Sequence, residues 1–255
     1  VRRRLGHLAA HGGGAGEEQV VKRQAGKVVR NVGGFIVGQG SLERLPAFVD
    51  ARREFVGGSA KVVYLVDSYF ANQPAMVARL GARASDVVRY VDATDEPTTD
   101  GIDAITSELR GLLTGLPATI VGFGGGTTMD TAKAVANLLT NTGGAADYQG
   151  WDLVKVAAVH KIAVPTISGT GSEATRTCVM TNTKTGLKLG MNSDYTIFDQ
   201  MVLDPDLTAT VPRDQYFYTG MDAYIHCIEA LAGSYRNAVG DAYSRETVNL
   251  CRQVF

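Results

Sequence analysis

Apolar residues in the first part of the chain form short continuous runs that alternate with helical patterns. The run Val62–Val66 ends at Asp67 and predicts a strand buried on both faces, with a helix from Ser68 to about Leu80 after it. Val87–Val91 predicts a second strand. These two strands and the helix between them begin a strand–helix alternation.

The alternation continues through the middle of the chain. Asp100 is the predicted N-cap of a helix that runs to about Leu113, and Thr119–Phe123 predicts a third strand. That strand leads into the glycine-rich segment Gly124–Asp130, after which a helix is predicted at Thr131–Leu139. Successive strand–helix units of this kind predict an α/β fold with a parallel sheet covered by helices on both faces.

The pattern changes in the second half of the chain. Ile162–Pro165 predicts another strand, and residues 177–203 indicate irregular β structure with a short strand at Leu187–Leu189. From Arg213 onward the spacing of apolar residues is helical. We therefore predict an α/β domain over residues 28–210 and an incomplete helical domain over residues 211–255.

Both ends of the chain depart from this pattern. Residues 1–27 contain Arg2-Arg3-Arg4 and Gly12-Gly13-Gly14 without a sustained apolar period, and we expect a disordered or non-native leader. A basic targeting segment is the alternative, which Glu17-Glu18 weaken. The chain has no initiator Met and stops inside an amphipathic helical pattern, so we expect a fragment of a longer protein.

The composition excludes several classes of protein. Lys and Arg number 25 and Asp and Glu 26, so the net charge of −1 argues against a general nucleic-acid binder. No stretch approaches the roughly 18 apolar residues that a membrane span needs. Three cysteines are too few for a disulfide framework, which predicts a reducing, cytoplasmic location. The 30 glycines are clustered, and this clustering points to functional loops.

The strongest local signal is the segment Gly124-Gly125-Gly126-Thr127-Thr128 between a strand and a helix. Glycines allow close backbone approach, and the free N–H groups of a helix N-terminus suit a pyrophosphate. The spacing is neither G-x-G-x-x-G nor that of a P-loop, so a tight turn without a ligand is the alternative. Asp67 ends its strand, where a carboxylate can accept bonds from ribose hydroxyls and favour NAD over NADP, or act only as an N-cap.

Asp222 and His226 lie four residues apart on a predicted helix and therefore share one face. Carboxylate and imidazole suit Fe²⁺ or Zn²⁺, but two ligands are insufficient for a catalytic site, and an exposed Asp–His pair is the favoured alternative on spacing alone. His160 is expected to be solvated. Lys188, in a short strand, is expected to be exposed unless other information assigns it a role.

Together these segments resemble the iron-containing alcohol dehydrogenase family, within the dehydroquinate synthase-like fold. The matching segments, in order, are VVYLVD, GFGGGTTMDTAKAVANLLTN, VPTISGTGSEATRT, VLDPDLTATVP and TGMDAYIHCIEAL. The resemblance implies an N-terminal dinucleotide-binding α/β domain, a C-terminal all-helical domain, and a metal in the cleft between them. The implied cofactors are NAD and a divalent metal, Fe²⁺ or Zn²⁺.

The resemblance also implies a set of site residues, although it assigns no catalytic residue. Asp67 would contact the adenosine ribose, and Lys188 would point at a ribose of the cofactor. Asp222 and His226 would be the first two metal ligands. Ile167 stands where the family commonly has a second Thr. The remaining implied cofactor residues are Gly125, Gly126 and Thr127 at the pyrophosphate and Thr166, Ser168, Gly169 and Thr170 at the nicotinamide side.

Within the family, three segments resemble the 3-deoxy-manno-octulosonate 8-oxidase branch: NTGGAADYQGWDL, VPTISGTGSEATRTCVMT and LGMNSDYTIFDQMVLDPDL. This similarity implies oxidation of the C8 primary alcohol of that sugar acid to an aldehyde, for lipopolysaccharide biosynthesis. Arg176 could pair with the substrate carboxylate or serve the fold.

Three alternatives to that activity stay open. They are a general NAD-dependent alcohol or glycerol dehydrogenase of the same family, a dehydroquinate synthase-like lyase, and an inactive dinucleotide-binding fragment. The lyase is disfavoured because Lys and Arg are scattered rather than clustered near the expected cleft. The expected partner is a small sugar-acid or alcohol substrate, and a homodimer is left open.

Overall fold

A computed structural model describes residues 31–234 and 236–254. The predicted leader therefore lies outside the described residues. The strands are β1 Gly34–Val37, β2 Val63–Asp67, β3 Val87–Val91, β4 Ile120–Gly124, β5 Gly150–Trp151, β6 Lys161–Pro165, β7 Thr177–Thr181, β8 Lys188–Asn192 and β9 Gln200–Leu203. The α-helices are α1 Leu45–Phe55, α2 Pro74–Ala78, α3 Thr99–Leu112, α4 Gly126–Leu138, α5 Arg213–Ala232 and α6 Ala238–Val254. Short 3₁₀ helices cover Ser41–Arg44, Ser68–Phe70, Ala145–Tyr148, Ser172–Ala174, Asp194–Thr196 and Pro205–Thr208.

The main sheet has six parallel strands in the order β1-β9-β6-β4-β2-β3. Successive side chains of β2 point to opposite faces. Val63 and Leu65 join the apolar cluster that contains α3 and α4, whereas Tyr64 and Val66 join the cluster that contains α1. Both faces of the sheet are therefore covered, which confirms the predicted α/β architecture.

The strand order reverses between β2 and β4. From β2 the chain moves outward to β3, whereas from β4 it moves the other way to β6 and then β9. In open parallel sheets such a reversal leaves a crevice at the carboxyl ends of the two strands, and ligands bind there. Here those ends are Asp67 and Gly124.

The region predicted as irregular β structure contains two of the three strands of a second sheet, ordered β5-β8-β7, and β9, which lies between β1 and β6 in the main sheet. β7 and β8 pair antiparallel from Thr177 opposite Asn192 to Thr181 opposite Lys188. The Gln149 side chain donates to the carbonyl oxygens of Met180 at 2.8 Å and Leu189 at 3.3 Å. One amide thus ties the neighbouring strands of this small sheet together.

Two helix predictions were wrong in detail. The helix predicted at Ser68–Leu80 is divided into a 3₁₀ turn and the short α2, because Pro74 has no N–H and Gln73 before it takes φ −122° and ψ 62°. The N-cap of α3 is Thr98, whose Oγ1 accepts from the Gly101 N–H at 3.1 Å. Asp100 lies in the first turn, where its charge favours the helix dipole.

The helices α5 and α6 follow the main sheet and pack against each other. α5 begins directly after Pro212, and the division of the chain at residue 210 stays a prediction. Within residues 31–234 and 236–254, none of the helices has the length and apolar character needed to cross a membrane.

Candidate dinucleotide and metal site

The helix α4 begins at Gly126, five residues before the predicted Thr131. The segment expected to be a loop is therefore the first turn of the helix, where backbone N–H groups lack intrahelical acceptors. Gly124, at the end of β4, has φ +157°, and a Cβ there would lie 2.7 Å from the Asp67 Cβ. This glycine brings the helix N-terminus close to the end of β2.

Gly125 and Gly126 are both covered by the loop that follows β6. A Cβ on Gly125 would lie 2.8 Å from Ile167 Cδ1, and a Cβ on Gly126 would lie 2.9 Å from Thr170 Cγ2. Neither position has room for a side chain. The two glycines therefore leave the backbone N–H groups at the start of α4 open toward a ligand. Backbone N–H groups in such a cradle, with the positive end of the helix dipole, fit a pyrophosphate.

A cavity of about 500 Å³ lies over the crevice between β2 and β4. Asp67, at its wall, accepts a hydrogen bond on Oδ1 from the Tyr69 N–H at 2.9 Å. The carboxylate is therefore the N-cap of the following turn and a wall of the cavity at once. The predicted cofactor residues that line this cavity are Asp67, Gly125, Gly126, Thr127, Thr166 and Thr170.

A second cavity of about 700 Å³ shares Gly126, Thr127 and Thr170 with the first. The two cavities therefore meet at the N-terminus of α4. Gly169, Lys188, Asp222 and His226 line this second cavity, together with Asp130 and residues of β7 and α6. Ser168 is exposed and is absent from both linings.

Asp222 and His226 form the predicted pair on one face of α5. His226 Nδ1 lies 3.5 Å from Asp222 Oδ2, and the two side chains are 57% and 44% exposed. An imidazole and a carboxylate at this spacing fit two positions of an iron or zinc site. Within the described part of the chain, no group of three His, Cys, Asp or Glu residues is placed to hold a metal.

Lys188 lies on β8 at the wall of the second cavity and pairs with Glu96. Its side chain is about half exposed. Lys188 is thus available to the cavity as a cation, but it already has a carboxylate partner.

The sequence analysis missed the buried lysine beneath this cleft. Lys133 on α4 is fully buried, and its Nζ donates to Thr177 O at 2.7 Å, Thr175 Oγ1 at 3.0 Å and Ser172 Oγ at 3.3 Å. Its helix is buried on nearly all sides, so a lysine inside the apolar stretch of α4 was the signal that could have revealed it. Burial lowers the pKa of Lys133.

Asp130, one turn before Lys133, joins the same network. Its carboxylate accepts from Ser172 Oγ at 2.5 Å and from the Val179 N–H at 3.0 Å, and lies 4.0 Å from Lys133 Nζ. Burial raises the pKa of Asp130, although Lys133 and the hydrogen bonds oppose this effect. The network fixes the segment after β6 and the start of β7 to α4.

Gly169 is the point where that loop meets α5. It has φ +154°, and a Cβ there would lie 2.2 Å from the Thr219 carbonyl oxygen. Only glycine permits this approach, so the position couples the α/β part of the cleft to the helix that carries Asp222 and His226.

Arg176 does not face the cleft as a substrate partner. Its guanidinium pairs with Asp152 at 2.5 Å and with Asp194 at 3.1 Å, and lies 5.9 Å from the ring centre of Trp151. Arg176 therefore joins the two segments that carry the resemblance to the sugar-acid branch, and its role is in the fold.

His160 was also predicted wrongly, because it is partly buried rather than solvated. Its Nδ1 lies 2.8 Å from Thr119 Oγ1, next to the start of β6. Burial lowers its pKa to about 4. His160 lies at the amino ends of the strands, on the edge of the sheet opposite the cleft.

Comparison with known proteins gives one family for most of the chain. The model of the family described as iron-containing alcohol dehydrogenase matches residues 33–205. A sulfoacetaldehyde reductase of Bilophila wadsworthia (strain 3_1_6) is 37% identical over 161 residues, which are 63% of this chain and 41% of the relative. The NAD-dependent methanol dehydrogenase of Bacillus methanolicus is 32% identical over 162 residues, 64% of this chain and 41% of the relative.

Solved structures agree with this similarity. The sulfoacetaldehyde reductase of Bifidobacterium kashiwanohense in complex with NAD⁺ superposes with a TM-score of 0.74 at 25% identity, over 89% of this chain and 59% of that one. A 1,3-propanediol oxidoreductase gives a TM-score of 0.73 at 25% identity, over 88% of this chain and 58% of that one. The chain spans about half or less of the length of its curated relatives.

Proposed function

Because the chain belongs to the iron-containing alcohol dehydrogenase family, we propose that it binds NAD and takes part in an oxidoreductase reaction at a CH–OH group. One observation carries the proposal. The cavity with Asp67 and the cavity with Asp222 and His226 meet at the N-terminus of α4. A dinucleotide whose pyrophosphate lies there would extend from one cavity into the other.

The chain's own residues would bind and orient the cofactor. The N–H groups of Gly126 and Thr127 would donate to the pyrophosphate, and Asp67 would accept from the adenosine ribose and repel a 2′-phosphate. Lys188 would contact the ribose near the nicotinamide. Of the residues implied for the nicotinamide side, Gly169 and Thr170 border the second cavity and would line it, whereas Thr166 borders only the first cavity and Ser168 borders neither. When bound, NAD supplies the hydride acceptor, and the protein supplies position and electrostatics.

Asp222 and His226 would hold a divalent ion, iron or zinc, as two of its protein ligands. Such an ion supplies Lewis acidity to a substrate oxygen. The helix α5 contributes the spacing, since residues four apart share one face. Gly169 sets the distance between this face and the cofactor loop.

For the substrate, we propose an anionic alcohol, with the C8 hydroxyl of 3-deoxy-manno-octulosonate as the specific candidate. The DYQGWDL and NSDYTIFDQ segments support this choice by similarity, and Lys188 provides a cation in the second cavity. The similarity to two sulfoacetaldehyde reductases, whose named substrate is a small anionic aldehyde, supports an anionic class.

A general alcohol dehydrogenase is the second candidate. Two 1-propanol dehydrogenases share 28% and 27% identity with 85% of the chain, so uncharged alcohols also occur among the relatives. The position of Arg176 favours this candidate, because its two ion pairs withdraw the expected carboxylate partner from the substrate. The cytoplasmic location stays a prediction, and a homodimer stays open.

The test is a titration of NAD⁺ into the purified chain by calorimetry, with the Gly125→Val variant. A valine there would meet Ile167 and close the cradle, so affinity should fall about tenfold or more. Gly115→Val is the matched control, because a Cβ at Gly115 meets open space. Absence of NAD⁺ binding by the unmodified chain, or equal affinity in Gly125→Val, would contradict the proposal.

The substrate class is tested with the natural protein that contains this sequence. Product formation from 3-deoxy-manno-octulosonate, 2-hydroxyethanesulfonate and 1-propanol would be measured with NAD⁺ and with oxygen as acceptors. Lys188→Met should raise the KM for the anionic alcohols about tenfold more than the KM for 1-propanol, because the loss of the ribose contact is common to all substrates. Turnover of 1-propanol alone would select the second candidate.

A further inference from the structure

The sheet order assigns the two ends of a bound dinucleotide to different parts of the cleft. With the pyrophosphate at α4, after β4, Asp67 lies toward β2, and Lys188, Asp222 and His226 lie in the other cavity. The neighbour of β2 on its outer side is β3. An adenine base attached to the ribose at Asp67 would therefore lie near the carboxyl ends of β2 and β3.

One aromatic ring stands exposed at this position. Tyr69 lines the first cavity with Ala93 and Thr94, which follow β3, and its side chain is 51% exposed. Phe70 lines the same cavity, but it is buried, with 4% exposed. Tyr69 therefore offers the accessible aromatic face at the β3 end of the cavity.

Several contacts hold the Tyr69 ring in place. Its N–H donates to Asp67 Oδ1 at 2.9 Å, which couples its backbone to the ribose-facing carboxylate. Its ring meets Phe70 edge-on, with centroids 5.1 Å apart and planes at 89°. Phe70 in turn packs on Phe123 of β4, at 4.6 Å. An aromatic ring held against a packed neighbour in this way loses little side-chain entropy when it binds a flat base.

The opposite wall of this end comes from the segment before α5. Tyr69 OH lies 3.5 Å from the Thr210 carbonyl oxygen, and Leu207, Val211 and Pro212 continue the lining. The surroundings are thus a flat ring and aliphatic side chains, without a Lys or Arg in the described lining. Such an environment fits an uncharged, planar heterocycle and not a phosphate.

We propose that Tyr69 is the platform for the adenine base, on which the base stacks beside the ribose held by Asp67. This inference rests on the proposed function, since it needs a dinucleotide in the cleft. Loss of the stacking of a base on an aromatic side chain weakens affinity by roughly 5- to 150-fold.

The test uses calorimetric titration of NAD⁺ and of ADP-ribose, which keeps the adenine end and lacks nicotinamide. Tyr69→Ala should weaken both ligands by the same factor, about tenfold. Tyr69→Phe should stay within about twofold of the unmodified chain, because the ring and not the hydroxyl makes the stack. Tyr90→Ala is the matched control, a half-exposed tyrosine on β3 that is absent from the lining of this cavity.

The outcomes separate this inference from the proposed function. Binding of neither ligand by the unmodified chain would end the proposed function itself. Normal binding that Tyr69→Ala leaves unchanged would overturn the adenine platform alone. A loss confined to NAD⁺ would place Tyr69 at the nicotinamide end, and an equal loss in Tyr69→Phe would assign the effect to the Thr210 contact. Either result would also overturn the inference.

Discussion

The helices α4 and α5 both line the cleft, yet they are built differently. Ten of the thirteen residues of α4 are buried, among them Lys133 and Asn137. On α5 two of twenty residues are buried, Thr219 and Gly220, and apolar side chains such as Phe217 are exposed. The half of the cleft proposed to bind the dinucleotide thus stands on a packed core, whereas the half proposed to hold the metal stands on a lightly packed helix.

The two halves of the cleft have different structural requirements. A cradle of backbone N–H groups needs a rigid helix N-terminus, which the burial of most of α4 provides. The pair Asp222 and His226 requires only the spacing of a helix, and its orientation toward the cofactor depends on the contact of Gly169 with α5. Regions with few buried apolar contacts open most readily, so we expect α5 to be the more dynamic half.

The largest expected effect concerns the buried network of α4. Lys133→Met removes the ammonium, leaves the buried Asp130 carboxylate without its neighbouring cation and removes the donor that lies 2.7 Å from the Thr177 carbonyl oxygen, so the free energy of unfolding should fall by about 3–5 kcal/mol. Urea denaturation measures this free energy of unfolding. The exposed Lys155→Met should change it by less than about 0.5 kcal/mol. Equal effects of the two variants would show that α4 does not depend on its lysine.

A pH effect should come from His160, at the edge of the sheet away from the cleft. Its pKa of about 4 in the folded protein lies below the usual 6.5, so the unfolded chain takes up the proton first as pH falls. The contribution of the neutral, buried His160 to the free energy of unfolding is fully present above pH 6.5. It falls by up to about 3 kcal/mol between pH 6.5 and pH 4. Urea denaturation at pH 7 and 4.5 should show a smaller decrease for His160→Gln. An identical decrease would refute the assignment.

The junction between the two halves is tested at Gly169. An alanine there meets the Thr219 carbonyl oxygen and strains a φ of +154°, which should cost about 2 kcal/mol and displace α5. Hydrogen exchange should quicken in α5 while α4 keeps its protection. Gly171→Ala is the control, because it also has a positive φ but meets open space. Faster exchange in α4 as well would mean that the halves are one unit.

The smallest expected effect concerns cofactor choice. Asp67→Ser removes the charge that repels a 2′-phosphate, so the preference for NAD⁺ over NADP⁺ should narrow about tenfold, or 1.4 kcal/mol. Serine keeps a side-chain oxygen that can accept from the Tyr69 N–H, which preserves the turn. Calorimetric affinities for both cofactors measure the change. Tighter binding of NADP⁺ by the unmodified chain would contradict the placement of Asp67.

Local pattern alone determined several elements of this protein. The strand at Val63–Asp67 matches its predicted run to within one residue, because a continuous apolar run between polar ends has few other solutions in a parallel sheet. The strand at Val87–Val91 also matches, although it lies at the sheet edge and its residues alternate in burial. The spacing of Asp222 and His226 placed them on one helical face for a similar reason, since 3.6 residues make a turn.

Contacts between distant residues decided the rest. The network of Lys133 depends on Ser172 and Thr175, about forty positions away, and the pairing of Arg176 with Asp152 and Asp194 depends on the small second sheet. Burial of His160 against Thr119 is equally nonlocal. Periodicity reports which face of an element is apolar, but it does not report which element covers that face. Only the folded chain therefore determined which polar groups are buried and that the two cavities share the start of α4.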